Sequence, residues 1–137
     1  MSIERCEELY LLIGNKANEI IPTKWSKILL YAEVVPGVVT NHYCFYEAES
    51  GNLVEFASIP QKYGIDRNEL KHSSLELTRL IRQLHTEWDN SNQEKWTTMT
   101  FELESDGQFN IDYGYENLEE TDVVFRRKEW EKKYLHK

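Results

Sequence analysis

Between Trp96 and Tyr115 the chain alternates apolar with polar side chains. Met99, Phe101 and Leu103 stand against Thr98, Thr100, Glu102 and Glu104; then Phe109, Ile111, Tyr113 and Tyr115 stand against Asn110, Asp112, Gly114 and Glu116. This alternation predicts two half-buried strands. Ser105, Asp106 and Gly107 separate them, and because Asp and Gly tolerate positive φ they predict a tight hairpin turn. One face of the pair is apolar and the other rich in carboxylates, the pattern of an antiparallel pair with a core on one side.

Upstream, Cys6, Leu9, Tyr10, Ile13, Ala17 and Ile20 recur at helical spacing. They predict a helix from a Ser2 cap to Ile20, with Glu4, Glu7 and Glu8 suited to its first turns and Pro22 ending it. Three strands follow, Trp25 to Val35, Val38 to Ala48, and Leu53 to Ser58 ending at Pro60, with turns at Pro36-Gly37 and at Glu49 to Asn52. Asp66 and Glu69 form a capping-box pattern, and Ile65 with Leu70 a hydrophobic staple. They open a second helix with one apolar stripe, Leu70, Leu77, Leu80, Ile81, Leu84 and Trp88, which the polar run Asp89 to Gln93 ends. From Arg126 to Lys137 the charge turns basic, and Trp130 and Tyr134, four apart, predict a short helix pinned to the body.

The order is α-β-β-β-α-β-β-α in a single domain over residues 1–137. Short hairpin connections predict an α+β fold: a mainly antiparallel five-stranded sheet, two long helices on one face, and a short C-terminal helix. In the first strand Ile28, Leu30, Ala32 and Val34 suit the helix-covered face, yet the opposite set, Lys27, Leu29, Tyr31, Glu33 and Val35, is also partly apolar. Two readings of that second set stand side by side. It is an exposed protein-binding surface with Tyr31 as an anchor, or the C-terminal segment folds over it through Trp130, Tyr134 and Leu135.

With 137 residues the chain buries roughly two thirds of its unfolded surface and needs neither disulfide nor metal to fold. A formal net charge of −8 argues against binding nucleic acid through its phosphates and favours a basic protein partner. The charge is concentrated: from Trp96 through Phe125 there is no Lys or Arg, while Glu102, Glu104, Asp106, Asp112, Glu116, Glu119, Glu120 and Asp122 all lie within that tract. Cys6 and Cys44 form no paired motif and read as free buried thiols of a reducing compartment. No secretion signal or membrane-spanning run is evident, so a cytoplasmic location is expected.

Four histidines, His42, His72, His85 and His136, keep no company with a catalytic partner motif, and His72 and His85 lie too far apart on one helix to share an ion. No metal, cofactor or catalytic residue is expected. The carboxylates suit either partner binding or the protection of a solvated strand edge.

In order and spacing, further residues resemble the YezG and EsaG type of immunity proteins, bacterial antitoxins of secreted nuclease toxins. They are Ile21-Pro22 followed by Trp25, Phe45-Tyr46 followed by Gly51, and Ile59-Pro60 before the second helix. Trp96-Thr97 with Phe101, Leu103, Asp106-Gly107, Phe109, Tyr113 and Tyr115 continue the series, and Arg126 or Arg127 with Trp130, Lys133, Tyr134 and Leu135 close it. The resemblance covers nearly the whole chain. It implies a non-enzymatic protein that binds the C-terminal nuclease domain of a cognate toxin inside the producing cell. Combined with the charge pattern, it makes Glu102, Glu104, Asp112, Glu116, Glu119, Glu120 and Tyr31 the candidate toxin-binding residues. An escort module for a secreted partner is the alternative; a small enzyme would need a deep pocket near His42 or His85.

Overall fold

A computed structural model describes residues 3–89 and 95–135, so the Ser2 cap, the end of the polar run after Asp89, and His136 lie outside the described residues. Helix α1 (Ile3–Ile20) buries Leu9, Ile13 and Ala17. After Pro22, β1 (Trp25–Val35) turns at Gly37, whose φ of 80° suits glycine, into β2 (Val38–Glu47). The pairing runs from Val35 opposite Val38 to Ile28 opposite Phe45.

The third strand is shorter than its pattern implies. Strand β3 covers only Leu53–Glu55; residues Phe56–Ser58 form a 3-10 turn that leads into helix α2 (Ile59–Tyr63). Phe56 and Ile59 are both buried and three apart, a helical rather than a strand spacing. Pro60 therefore begins a helix instead of ending a strand, because its missing N–H has no partner to lose in a first turn. Gly64, at φ 70°, ends α2. Asp66 Oδ1 then accepts hydrogen bonds from the backbone N–H of Asn68 (2.8 Å) and Glu69 (3.3 Å), fixing the start of α3 (Arg67–Asp89). Leu77, Ile81 and Leu84 on α3 are fully buried. The Lys16 to Glu76 ion pair (3.0 Å) ties α1 to α3 at their rim.

The acidic hairpin forms as its alternation implies, with β4 (Thr98–Glu104) and β5 (Phe109–Gly114) joined at Gly107, φ 93°. Asp106 Oδ1 accepts from Gln108 N at 2.9 Å, the side-chain turn that Asp favours. The sheet is antiparallel throughout, in the order β3-β2-β1-β4-β5. Central β1 places Ile28 opposite both Phe45 and Leu103, and Leu30 opposite both Tyr43 and Phe101. These residues and the stripes of α1 and α3 make the main core, closed at one end by fully buried Trp96.

The opposite face of the sheet is covered by a fourth helix, α4 (Val123–Tyr134), so with the added α2 the order among the described residues is α-β-β-β-α-α-β-β-α rather than the expected α-β-β-β-α-β-β-α. Asp122 caps it, accepting from Phe125 N at 2.8 Å, so α4 starts ahead of the basic segment that signalled it. Trp130 lies 5.3 Å from Tyr31, ring centre to ring centre, and its indole N–H donates to Thr100 Oγ1 at 3.0 Å. Of the two readings of this face, the structure takes the covered one: Leu29, Tyr31 and Cys44 form a second small core with Trp130 and Leu135. Among the described residues no helix is long and apolar enough to cross a membrane.

Candidate interaction surface

Glu33 and Arg126 organise the side of the molecule where α4 meets the sheet. Glu33 sits near the end of the central strand β1 at 3% exposure, and a buried carboxylate is tolerated only when its charge is matched. Arg126 matches it with two parallel bonds, Nε to Oε2 at 2.7 Å and Nη2 to Oε1 at 3.0 Å. Its remaining Nη1 donates to the carbonyl of Leu118 at 2.8 Å, to the carbonyl of Thr121 and to Thr121 Oγ1. The Glu33 hydrogen bonds raise the Arg126 pKa above its ordinary value, so the cation is secure. Tyr31 donates to Glu33 at 2.6 Å, and burial followed by that bond pushes its phenol pKa well above the ordinary range. One guanidinium thus ties together α4, the turn before it and the centre of the sheet.

The expected contact residues are dispersed around this framework. Tyr31 is 8% exposed beneath Trp130, so with α4 in place it is not an exposed anchor; that part of the expectation is corrected by the packing of the helix. Glu102 is half-buried and pairs with Lys27 at 2.8 Å, while Glu104 lies 3.8 Å from the same ammonium. The bond to Glu102 is the main cause of the raised Lys27 pKa. Asp112 accepts from the Tyr134 hydroxyl at 2.7 Å, and burial together with this bond pushes the Tyr134 phenol to about 12. Glu116, Glu119 and Glu120 are exposed, the last two on a 3-10 turn (Leu118–Glu120) in which Asn117 Oδ1 accepts from Glu119 N. Glu102 and Glu104 therefore have a partner in Lys27 on the sheet and Asp112 one in Tyr134 on α4, and Glu116, Glu119 and Glu120 extend the negative surface toward the start of α4.

A cleft of about 250 Å³ opens between α4 and the β4–β5 edge, walled by Asp112, Glu116, Phe125, Glu129, Trp130 and Tyr134. Beyond it, Val123, Val124 and Phe125 form an apolar first turn of α4 that is 46%, 58% and 51% exposed. Neither this turn nor the Glu33–Arg126 pair was singled out from the sequence. The usable signal was Asp122, a cap residue directly before apolar Val123 to Phe125, with Arg126, Trp130 and Tyr134 at successive four-residue steps.

The histidines have ordinary surroundings. His72 pairs with Glu76 at 2.8 Å, and His85 Nε2 bonds the carbonyl of Trp96 at 3.0 Å. His42 packs edge-on to Trp130, 5.4 Å between ring centres, and Glu55 lies 3.9 Å from its Nε2. Burial lowers its pKa. Depressions do border His42 and His85, but both are open to solvent. Among the described residues no group of three His, Cys, Asp or Glu is placed to hold a metal ion, and Cys6 and Cys44 are buried thiols not joined in a disulfide.

The sequence matches immunity proteins. The YezG-like immunity protein model matches residues 6–137. Immunity protein YezG of Bacillus subtilis (strain 168) is 37% identical over 131 residues, covering 94% of this chain and 87% of that protein. Immunity protein YezG of Bacillus spizizenii (strain W23) is 30% identical over 118 residues, covering 86% and 73%. The class is thus a small α+β immunity protein. Within that class, the chain belongs to the YezG-like family.

Proposed function

We propose that this protein is the cytoplasmic antitoxin of a secreted nuclease toxin, which it neutralises by non-covalent binding through its acidic side, without catalysis of its own. The observation that carries this reading is the charge distribution: the tract from Trp96 through Phe125 lacks Lys and Arg, and Glu104, Asp112, Glu116, Glu119 and Glu120 in it are exposed. A nuclease domain has to attract a polyanion, so it presents a basic groove, and a negative field steers the antitoxin onto that groove. Long-range attraction sets the rate of capture; the holding energy comes from desolvated apolar contacts, because exposed ion pairs contribute about 0–1 kcal/mol each.

Two measurements test it. Coexpression with the adjacent toxin gene should restore growth, whereas an escort protein would only keep the toxin soluble. Reversing Glu104, Glu116, Glu119 and Glu120 to Lys together should slow association with the inactivated nuclease domain by at least about tenfold at low salt and flatten its salt dependence. An unchanged rate and salt slope would place the binding surface elsewhere.

A further inference from the structure

Resting on that antitoxin reading, we infer that the exposed first turn of α4, Val123-Val124-Phe125, is the apolar anchor that holds a basic partner domain. The turn is not explained by the fold. Two adjacent β-branched residues are indifferent helix formers, and Val124 and Phe125 are each more than half exposed beside a cap that Asp122 already supplies. A solvent-facing apolar cluster at the start of a helix stabilises little and promotes association, so its presence points to a surface that is covered in use.

The surroundings select the occupant. Phe125 forms a wall of the cleft that also holds Glu116 and Glu129, Asp122 and Val124 border its other side, and Glu119 and Glu120 lie on the preceding turn. Lys128 borders the same apolar turn and Lys133 lines the far part of the cleft, whereas the Arg126 charge is turned inward onto Glu33. An apolar centre with a mostly acidic rim fits a protein surface with an apolar socket ringed by Lys and Arg. Of the other exposed apolar residues of the helices, Leu75 on α3 shares its helix with exposed Lys71, Arg79 and Arg82, while Leu11 and Leu12 on α1 follow exposed Glu7 and Glu8 by one turn and supply, with Leu75, the comparison in the test below.

The anchor is also held rigid. Arg126 follows Phe125 directly and is fixed by Glu33 in front and by the carbonyls of Leu118 and Thr121 behind. A side chain set before contact loses less entropy on docking, which favours slow dissociation.

The test is titration of the full chain against the inactivated C-terminal nuclease domain of the adjacent toxin, comparing wild type, Val124→Ala/Phe125→Ala and Leu11→Ala/Leu75→Ala. The expected result is a loss of at least about thirtyfold in affinity for the α4 pair, chiefly in dissociation rate, with the helix-layer pair within about threefold of wild type. Thermal melts check that both pairs fold. Hydrogen exchange of the wild-type complex gives a measurement free of substitutions, with protection expected over residues 122–129. Wild-type binding that the α4 pair leaves intact, equal losses in both pairs, or an α4 turn unprotected in the complex would each overturn the anchor while leaving the antitoxin reading in place. Absence of wild-type binding would remove the antitoxin reading itself, and the anchor with it.

Discussion

Replacing Arg126 by Met should uncouple α4 from the sheet. The substitution keeps most of the side-chain stem and deletes the group that neutralises Glu33, leaving a carboxylate at 3% exposure with only the Tyr31 hydroxyl among its present bonds. Breaking a buried ion pair on one side costs about 3–5 kcal/mol. Here the molecule has a way to limit the loss, since lifting α4 admits water to Glu33 at the expense of exposing Trp130 and Leu135, each worth about 1.5–3 kcal/mol of burial. The expected cost is therefore about 3 kcal/mol in urea unfolding followed by circular dichroism, with faster hydrogen exchange across 123–134 than across α3. Glu33→Met/Arg126→Met removes both charges and should recover most of the loss, giving a coupling energy of at least about 2 kcal/mol in the double-mutant cycle. A cost under about 1 kcal/mol for Arg126→Met, or strict additivity of the two single substitutions, would refute the view that this pair fastens the helix.

Other outcomes follow from single positions. Gly107→Ala, at φ 93° with open space around its Cβ, should cost about 1–2 kcal/mol purely from backbone strain; an unchanged melting temperature would mean that the hairpin turn adapts. Burial holds the His42 pKa below its ordinary 6.5, so the folded state binds fewer protons than the unfolded chain between the two values. Stability from this group is complete above about 6.5 and declines as pH falls toward the folded value; His42→Gln should flatten the drop in urea midpoint between pH 7.5 and 5.5, and equal slopes would contradict the assignment. Facing His42 are Arg127, which lowers its pKa, and Glu55 and Glu131, which oppose that. Burial pushes the Cys44 thiol to about 12, so it should resist thiol-specific reagents until the protein unfolds, and rapid native labelling would show that the second core opens.

The five strands and the two long helices were legible because burial is periodic: the stripe of α3 and the alternation of β4 and β5 each repeat over several turns or residue pairs. The segment from Phe56 to Tyr63 was misread as strand and stop because two buried aromatic or aliphatic residues and a proline fit either state locally; only burial of both Phe56 and Ile59 in the core decides it. The acidic side could be located from composition, but which carboxylates remain available could not. Lys27, far away in sequence, meets Glu102 only through strand register, and Glu33 finds Arg126 only after α4 crosses the sheet. Tyr31 illustrates the same limit, since strand alternation gives the face on which a side chain points and not what later settles upon it.

The central place of β1 also has a kinetic side. Its pairing with β2 closes across a tight turn, and β4 with β5 does likewise, so each ribbon can zip within microseconds. Joining β1 to β4 spans roughly sixty residues, among them all of α3, and that long loop must be closed before its contacts repay the entropy. Substitutions at Leu30 or Phe101 are therefore expected to slow folding, and those in α4 chiefly to speed unfolding.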